Sequence, residues 1–136
     1  MAFPRKPKPA EWTSLVRDFP NLIESDVELL GPSTSTYNCI AWALGYTDRW
    51  INPPAAQGDF VELFLGDARP RHYTKELPAL DPKARCDGYK DATEMTHASR
   101  IDGEVWSSKL GSDFLISHNR SGVTGSLYGS IVVSFS

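Results

Sequence analysis

Residues 35–45 read STYNCIAWALG and decide how the chain can be interpreted. The first four residues are small or polar, and an apolar, helix-favouring run begins at Cys39. Ile40, Ala43 and Leu44 share one face at the i, i+3, i+4 spacing of an α-helix. The stretch therefore predicts a loop that becomes a buried helix, with a thiol at the junction.

The position of Cys39 at a helix start has a chemical consequence. The unpaired N–H groups of a helix N-terminus place about half a positive charge there, which lowers the pKa of a thiol. The same N–H groups can hold the oxyanion that forms when a carbonyl is attacked. Cys39 is thus a candidate nucleophile for acyl transfer, and Asn38 and Ile40 are candidates for the oxyanion site.

A thiol nucleophile needs a base, and the chain has three histidines. His97 is the first candidate because it begins a predicted strand, which would present an imidazole rigidly to a helix end. His118 follows another short apolar segment and is the second candidate, whereas His72 lies in a charged loop and is expected at the surface. To orient the His97 ring we rank His118 first and Ser108 second.

Each of these residues also has a structural interpretation. Cys39 could be a small buried hydrophobe and His97 a satisfied core histidine. Trp106 is expected in the core or in a cleft wall, and Lys109 is either a solvated strand residue or a contact to a substrate carboxylate. Cys86 is interpreted as structural. The cysteines and histidines lack CxxC and HxxxH spacing, so no metal site is predicted.

Length and composition limit the class of protein. A chain of 136 residues fits one domain. A net charge of −3 argues against nucleic acid as a partner. There is no apolar run of about 18 residues and no secretory signal, so we expect no membrane span and either a cytoplasmic location or export without a signal peptide.

The remaining patterns predict helices followed by strands. Residues 1–10 are expected to be a flexible basic arm, and residues 11–136 a single domain. Helices are expected at 12–19 and 60–65, an extended excursion at 67–92, and strands at 94–100, 104–109, 114–117 and 128–135. The first two of these strands would form a hairpin around Asp102-Gly103. This order predicts an α+β fold with N-terminal helices packed on an antiparallel sheet.

A helix opened by cysteine and a histidine on a later strand resemble the papain-like fold, most closely the NlpC-type cell-wall cysteine peptidases. Their aromatic-Asp-Cys-Ser-Gly motif corresponds to residues 37–41, which read YNCIA. The resemblance implies a papain-like core, His97 as the base and a polar residue on the following strand to orient it. The chain departs from the family at Asn38, at Ile40-Ala41, and in having no glutamine upstream of Cys39.

A second resemblance is to a group of small uncharacterised bacterial proteins. They share the stretch Asn-Cys-Ile-Ala-Trp-Ala-Leu-Gly and a Thr-His-Ala segment followed by Trp-x-Ser-Lys-Leu-Gly. The likeness covers roughly residues 37–65 and 95–130, and it implies no particular activity.

Together these patterns predict a thiol hydrolase or acyl-transfer enzyme without a cofactor, of the peptidase, amidase or deamidase type. Its substrate would be a peptide, peptidoglycan or a protein, and a toxin effector with a cognate inhibitor protein would suit a small bacterial enzyme of this kind. The alternatives are a catalytically inactive binding or immunity protein on the same fold, and a redox-sensing thiol.

Overall fold

The computed structural model describes residues 2–66 and 69–136. These residues form three α-helices, namely α1 (Pro9–Asp18), α2 (Cys39–Ala43) and α3 (Gln57–Phe64). A short 3-10 helix spans Glu24–Asp26. The strands are β1 (Glu28–Gly31), β2 (Glu76–Leu77), β3 (Cys86–Lys90), β4 (Met95–Asp102), β5 (Val105–Lys109), β6 (Leu115–His118) and β7 (Ser130–Phe135).

The strands form one sheet in the order β1-β6-β5-β4-β3-β7-β2, and each neighbouring pair is antiparallel. The predicted α+β class with an antiparallel sheet is therefore confirmed. Strands β4 and β5 form the predicted hairpin, and Gly103 in its turn has φ +63°. Glycine adopts this left-handed conformation without the steric penalty that other residues incur.

The two faces of the sheet are buried against different elements. On one face, α2 and α3 pack on a cluster in which the rings of Phe60, Phe64 and Phe135 stack at 4.5 and 5.0 Å. On the other face, α1 covers a second cluster that includes Leu15 and Tyr89. Side chains alternate between the faces along a strand, so the central strand β4 contributes to both.

Three strands in the described part of the chain were not expected from the sequence. Strand β1 was not predicted, and β2 and β3 lie inside the segment 67–92 that we expected to be an extended excursion, of which residues 67–68 lie outside the described residues. The sequence of β3, CDGYK, contains Asp and Gly, which are unfavourable in strands. Tertiary contacts compensate, because Asp87 is buried against Arg120 and Gly88 lies beneath Phe60.

The N-terminal residues differ from the predicted flexible arm. Arg5 forms a β-bridge with Leu29, and its guanidinium binds both carboxylate oxygens of Glu11 at 2.8 and 3.0 Å. Helix α1 begins at Pro9, inside the segment assigned to the arm. Residues 5–10 thus pack against the domain that was expected to begin at residue 11.

None of the helices formed by the described residues is long and apolar enough to cross a membrane.

Candidate active site

Helix α2 begins at Cys39, as the sequence predicts. Its N-cap is Asn38, whose Oδ1 accepts hydrogen bonds from the amides of Ala41 at 3.2 Å and Ile51 at 3.1 Å. The Asn38 Nδ2 group donates to the Ile51 carbonyl at 2.7 Å. The side chain of Asn38, which we expected near an oxyanion, is therefore engaged in fixing the helix start.

The sulfur of Cys39 is buried, with the residue 5% exposed. The pairing of β4 with β5 begins at Arg100, so Ala98 lies outside this pairing. Its backbone amide donates toward the Cys39 sulfur instead. Burial nevertheless raises the pKa of the Cys39 thiol to about 11, against the lowering effects of this amide and of the Lys109 ammonium. The expected low thiol pKa is thus wrong, because desolvation outweighs the helix terminus.

The imidazole of His97 is enclosed by aromatic rings. His97 lies opposite Tyr89 in the sheet, and the two ring centroids are 5.0 Å apart in an edge-on arrangement. The ring of Tyr128 stacks on His97 at a centroid distance of 3.9 Å and an interplanar angle of 6°. The His97 ring is therefore held by packing in one plane.

Hydrogen bonds connect His97 to two further side chains that the sequence analysis selected. His97 Nε2 lies 3.0 Å from Ser108 Oγ, which in turn lies 2.7 Å from His118 Nε2. His118 Nδ1 is 2.7 Å from the carbonyl oxygen of Asn119. Ser108 therefore contacts the His97 ring directly, and His118 acts one step behind it, which reverses our ranking of these two residues.

The chain of hydrogen bonds fixes where each proton lies. The Asn119 carbonyl can only accept, so His118 Nδ1 carries a proton and donates it. Burial lowers the pKa of His118 to about 4, so its ring is neutral at pH 7 and its Nε2 must accept from the Ser108 hydroxyl. Ser108 Oγ then accepts from His97 Nε2–H, and the lone pair of His97 is left on Nδ1.

The Nδ1 atom of His97 is fully buried and has no hydrogen-bond partner among the described residues. Burial, and secondarily His118, lower the pKa of His97 well below its usual value, so this ring is also neutral. The Cys39 sulfur faces the amide of Ala98, the residue that follows His97 on β4, and no hydrogen bond joins the thiol to the ring. Cys39 packs with the cluster under α2 and α3, whereas the His97 ring lies on the other side of β4, between Tyr89 and Tyr128.

Lys109 is buried beside this site. Its ammonium donates to the carbonyls of Thr34 at 2.7 Å and Gly111 at 2.6 Å, and it lies 4.9 Å from the centre of the Tyr37 ring. Burial lowers its pKa, while the charges of Asp113 and Cys39 raise it. The interpretation as a solvated strand residue is therefore wrong.

Two other residues selected from the sequence lie in packed surroundings. Ile40 is fully buried in the α2 face of the core. Trp106 is buried opposite His118 in the β5–β6 pair, and the guanidinium of Arg120 stacks on its ring at 4.7 Å. Trp106 thus supports the His118 side of the hydrogen-bond chain.

Tyr128 and Asn119 were not predicted as residues of the site. Tyr128 was assigned to the last strand, yet β7 begins two residues later at Ser130. The one signal in the sequence was Gly129, which indicates that the preceding turn ends there and not before Tyr128. In the structure Gly129 has φ +80°. Asn119 acts through its backbone carbonyl, and no side-chain pattern could have indicated it.

The neutral state of His118 leads to a pH dependence of stability. Its pKa is about 4 in the folded protein and about 6.5 when unfolded, so the unfolded chain binds more protons between these values. Stability is therefore full above pH 6.5 and falls as the pH drops toward 4, by an amount on the order of 3 kcal/mol. Urea denaturation at steps between pH 7 and 4 measures this. A His118→Gln variant should show a smaller loss, and an unchanged slope would contradict the assignment.

The described residues contain no group of three or more His, Cys, Asp or Glu side chains arranged to hold a metal ion. The geometry instead defines an α+β protein with a thiol at a helix start and a buried imidazole–hydroxyl–imidazole chain on three adjacent strands. The chain belongs to the family described as domain of unknown function DUF7689, whose profile matches residues 28–136. No curated protein and no solved structure matches it.

Proposed function

We propose that the protein is a thiol-dependent acyl-transfer enzyme or hydrolase, with Cys39 as the nucleophile and His97 as the base. The observation that supports this most is the unpartnered Nδ1 of His97, on which the Ser108–His118 chain leaves a lone pair. A buried polar atom without a partner lowers stability and is rare in folded proteins, so it needs an explanation. A role in accepting the proton of the Cys39 thiol supplies one, and it requires the sulfur, which lies at the Ala98 amide, to reach the ring when a substrate binds.

The proposed reaction has two stages. The proton of the Cys39 thiol moves to His97 Nδ1 as the sulfur attacks a carbonyl carbon of an amide or ester, and the carbon–sulfur bond forms. The tetrahedral oxyanion then collapses, the bond to the leaving group breaks, and that group takes the proton from His97. In the second stage water or an amine, deprotonated by His97, attacks the thioester carbonyl. The carbon–sulfur bond then breaks, the acyl group leaves with the water or amine, and the sulfur takes the proton back from His97.

The electrostatics favour a neutral resting pair. Because burial raises the thiol pKa and lowers the imidazole pKa, transfer of the proton at rest is unfavourable. The Ala98 amide and the Lys109 ammonium both favour the thiolate over the thiol. We therefore expect deprotonation to accompany attack on a bound carbonyl, rather than to precede substrate binding.

We further propose that the core is papain-like. The support is the order of elements, since the helix opened by Cys39 packs against β4 and β5 and the base lies on β4. The group next to the imidazole is the hydroxyl of Ser108, with His118 behind it, on the two strands that follow. The oxyanion would depend on backbone N–H groups, since the Asn38 side chain is engaged.

A second candidate is a binding or immunity protein that keeps this fold without the chemistry. Two observations favour it, namely the 5% exposure of Cys39 and the raised pKa of its thiol. In this case Cys39 would pack as a small hydrophobe, and the His97 chain would serve only the architecture.

Trapping of the acyl-enzyme distinguishes the two candidates. The protein is incubated at pH 7 with a peptidyl thiophenyl ester, and intact-protein mass spectrometry measures a thioester adduct, which peptide mapping assigns to Cys39. We expect the adduct to be absent from Cys39→Ala and unchanged in the matched control Cys86→Ala, since Cys86 is fully buried on β3. A folded wild-type protein that forms no adduct, or forms it equally in both variants, would instead support the binding protein.

A further inference from the structure

A groove of about 470 Å³ runs between α1 and the far end of the sheet. Its wall is formed by residues of α1, of the β5–β6 turn and of the segment before β7, namely Ala10, Glu11, Ser14, Leu15, Asp18, Phe19, Leu110, Asp113, Phe114, Leu127 and Tyr128. A second depression of about 620 Å³ continues it, sharing Glu11 and Phe114. The groove is therefore long enough to follow an extended segment rather than a single small group.

The groove combines an apolar floor with negative charge. The rings and aliphatic side chains of Leu15, Phe19 and Phe114 form the floor, and Leu127 at the edge is 52% exposed. Among the described lining residues of the main groove there are three carboxylates and no basic side chain. Glu11 is neutralised by Arg5, which leaves the charge on the other two.

These two carboxylates are available to a ligand. Asp18 is 45% exposed at the side chain, and its contact to the exposed Arg17 is long, at 3.4 Å. Asp113 is exposed and, among the described residues, accepts hydrogen bonds from the Ser33 hydroxyl at 3.0 Å and the Phe114 amide at 2.7 Å, which are both uncharged. An ammonium or guanidinium group placed over the groove would therefore meet the Asp18 carboxylate, whose partner Arg17 is exposed, and the exposed Asp113 carboxylate, whose charge also acts on the buried Lys109.

The groove borders the candidate active site at Tyr128. Tyr128 forms part of the groove wall, and the same ring stacks on His97 at 3.9 Å. Leu110, another wall residue, directly follows Lys109, which faces the Cys39 sulfur. A chain lying in the groove would thus contact the ring that covers the proposed base.

We infer that this groove binds the substrate, and that the substrate is a peptide or protein segment with an apolar side chain next to a lysine or arginine. The apolar side chain would bury against Leu15 and Phe19, and the cation would lie near Asp18 and Asp113. This inference deepens the proposed function and rests on it for the identity of the reaction, although the binding itself can be measured separately.

Binding is tested with Cys39→Ala protein, which cannot turn over. Fluorescein-labelled peptides carrying Lys-Leu, Lys-Ala or Glu-Leu at the centre are titrated, and anisotropy gives Kd. We expect the Lys-Leu peptide to bind about tenfold more tightly than either of the others. Asp18→Asn should reduce the ratio of affinities for the Lys-Leu and Glu-Leu peptides. Leu127→Ser should reduce the ratio of affinities for the Lys-Leu and Lys-Ala peptides. Asp59→Asn, an exposed change on α3 across the sheet, is the matched control and should alter neither.

The outcomes separate this inference from the proposed function. Equal affinity for the three peptides, or a preference unchanged by Asp18→Asn, overturns the groove assignment even if wild-type protein forms the thioester at Cys39. Selective binding in the groove together with no thioester supports the groove and overturns the enzymatic proposal. NMR chemical-shift changes that avoid α1 and residues 110–114 would also contradict the groove.

Discussion

Replacing His97 by alanine will lower kcat/KM for hydrolysis of a peptidyl ester by about 10³-fold, because general-base catalysis typically contributes 10²- to 10⁴-fold. Added imidazole should restore part of the rate, since the vacated space beside Tyr128 can admit a free base. Ser108→Ala should cost less, roughly 10²-fold, because the base stays but its tautomer is no longer fixed. Steady-state kinetics between pH 6 and 9 measure all three effects.

The control for this prediction is His72→Ala, which removes the exposed histidine and should leave kcat/KM unchanged. Circular dichroism and urea denaturation establish that each variant is folded. If folded His97→Ala protein retains full activity, or if imidazole rescues Ser108→Ala as well as it rescues His97→Ala, the assignment of His97 as the base is wrong.

Replacing Gly129 by alanine will lower the free energy of unfolding by about 3 kcal/mol or more. Gly129 has φ +80°, and it exchanges backbone hydrogen bonds with Gly125 at 2.9 and 2.7 Å. A Cβ atom there would overlap the carbonyl oxygen of Lys90, so strain from the conformation and from the clash add together. Urea denaturation measures the loss.

The matched control is Gly103→Ala in the β4–β5 turn. Gly103 also has a positive φ, +63°, but a Cβ atom there would meet nothing within 4 Å. This variant should lose only about 1 kcal/mol, the contribution of backbone conformation alone. Equal losses in the two variants would mean that the Lys90 contact is not the cause of the larger effect.

The Gly129→Ala substitution should also affect the candidate active site. It follows Tyr128, whose ring covers His97, and Thr96 donates to the Tyr128 carbonyl at 2.6 Å. A shift of this segment should therefore change the environment of the His97 ring as well. We expect a displaced His97 imidazole resonance in any Gly129→Ala protein that remains folded, with Gly103→Ala unchanged.

The elements that could be predicted are those with local signals. Helix α2 and the β4–β5 hairpin were found because their periodicity and turn lie within a few neighbouring residues. Strand β3 was missed because its stability comes from contacts distant in sequence, such as the Arg120–Asp87 ion pair at 2.7 Å. The contribution of such contacts cannot be derived from the five residues CDGYK.

The residues of the candidate active site also divide into those with a local signal in the sequence and those that depend on tertiary contacts. The sequence selected Cys39, His97, Ser108 and His118 individually, from residue type and position, and the last three form one hydrogen-bonded chain. The predicted ranking of Ser108 and His118 as partners of the His97 ring was wrong, because the strand register decides which side chains meet across neighbouring strands. Tyr128 was missed as a site residue because stacking on His97 depends on the path of the whole segment 119–129.

The sequence by itself determined that a thiol opens the helix at residue 39, since the Asn38 cap and the apolar spacing act over less than two turns. It also predicted the β4–β5 hairpin through its turn and alternation, whereas the position of β7 between β3 and β2 was decided by the tertiary structure. Only the tertiary structure decided the protonation states. Burial depends on the whole packed molecule, and here it outweighs the helix terminus, so that Cys39 is a neutral thiol and His97 a neutral imidazole with its lone pair on Nδ1.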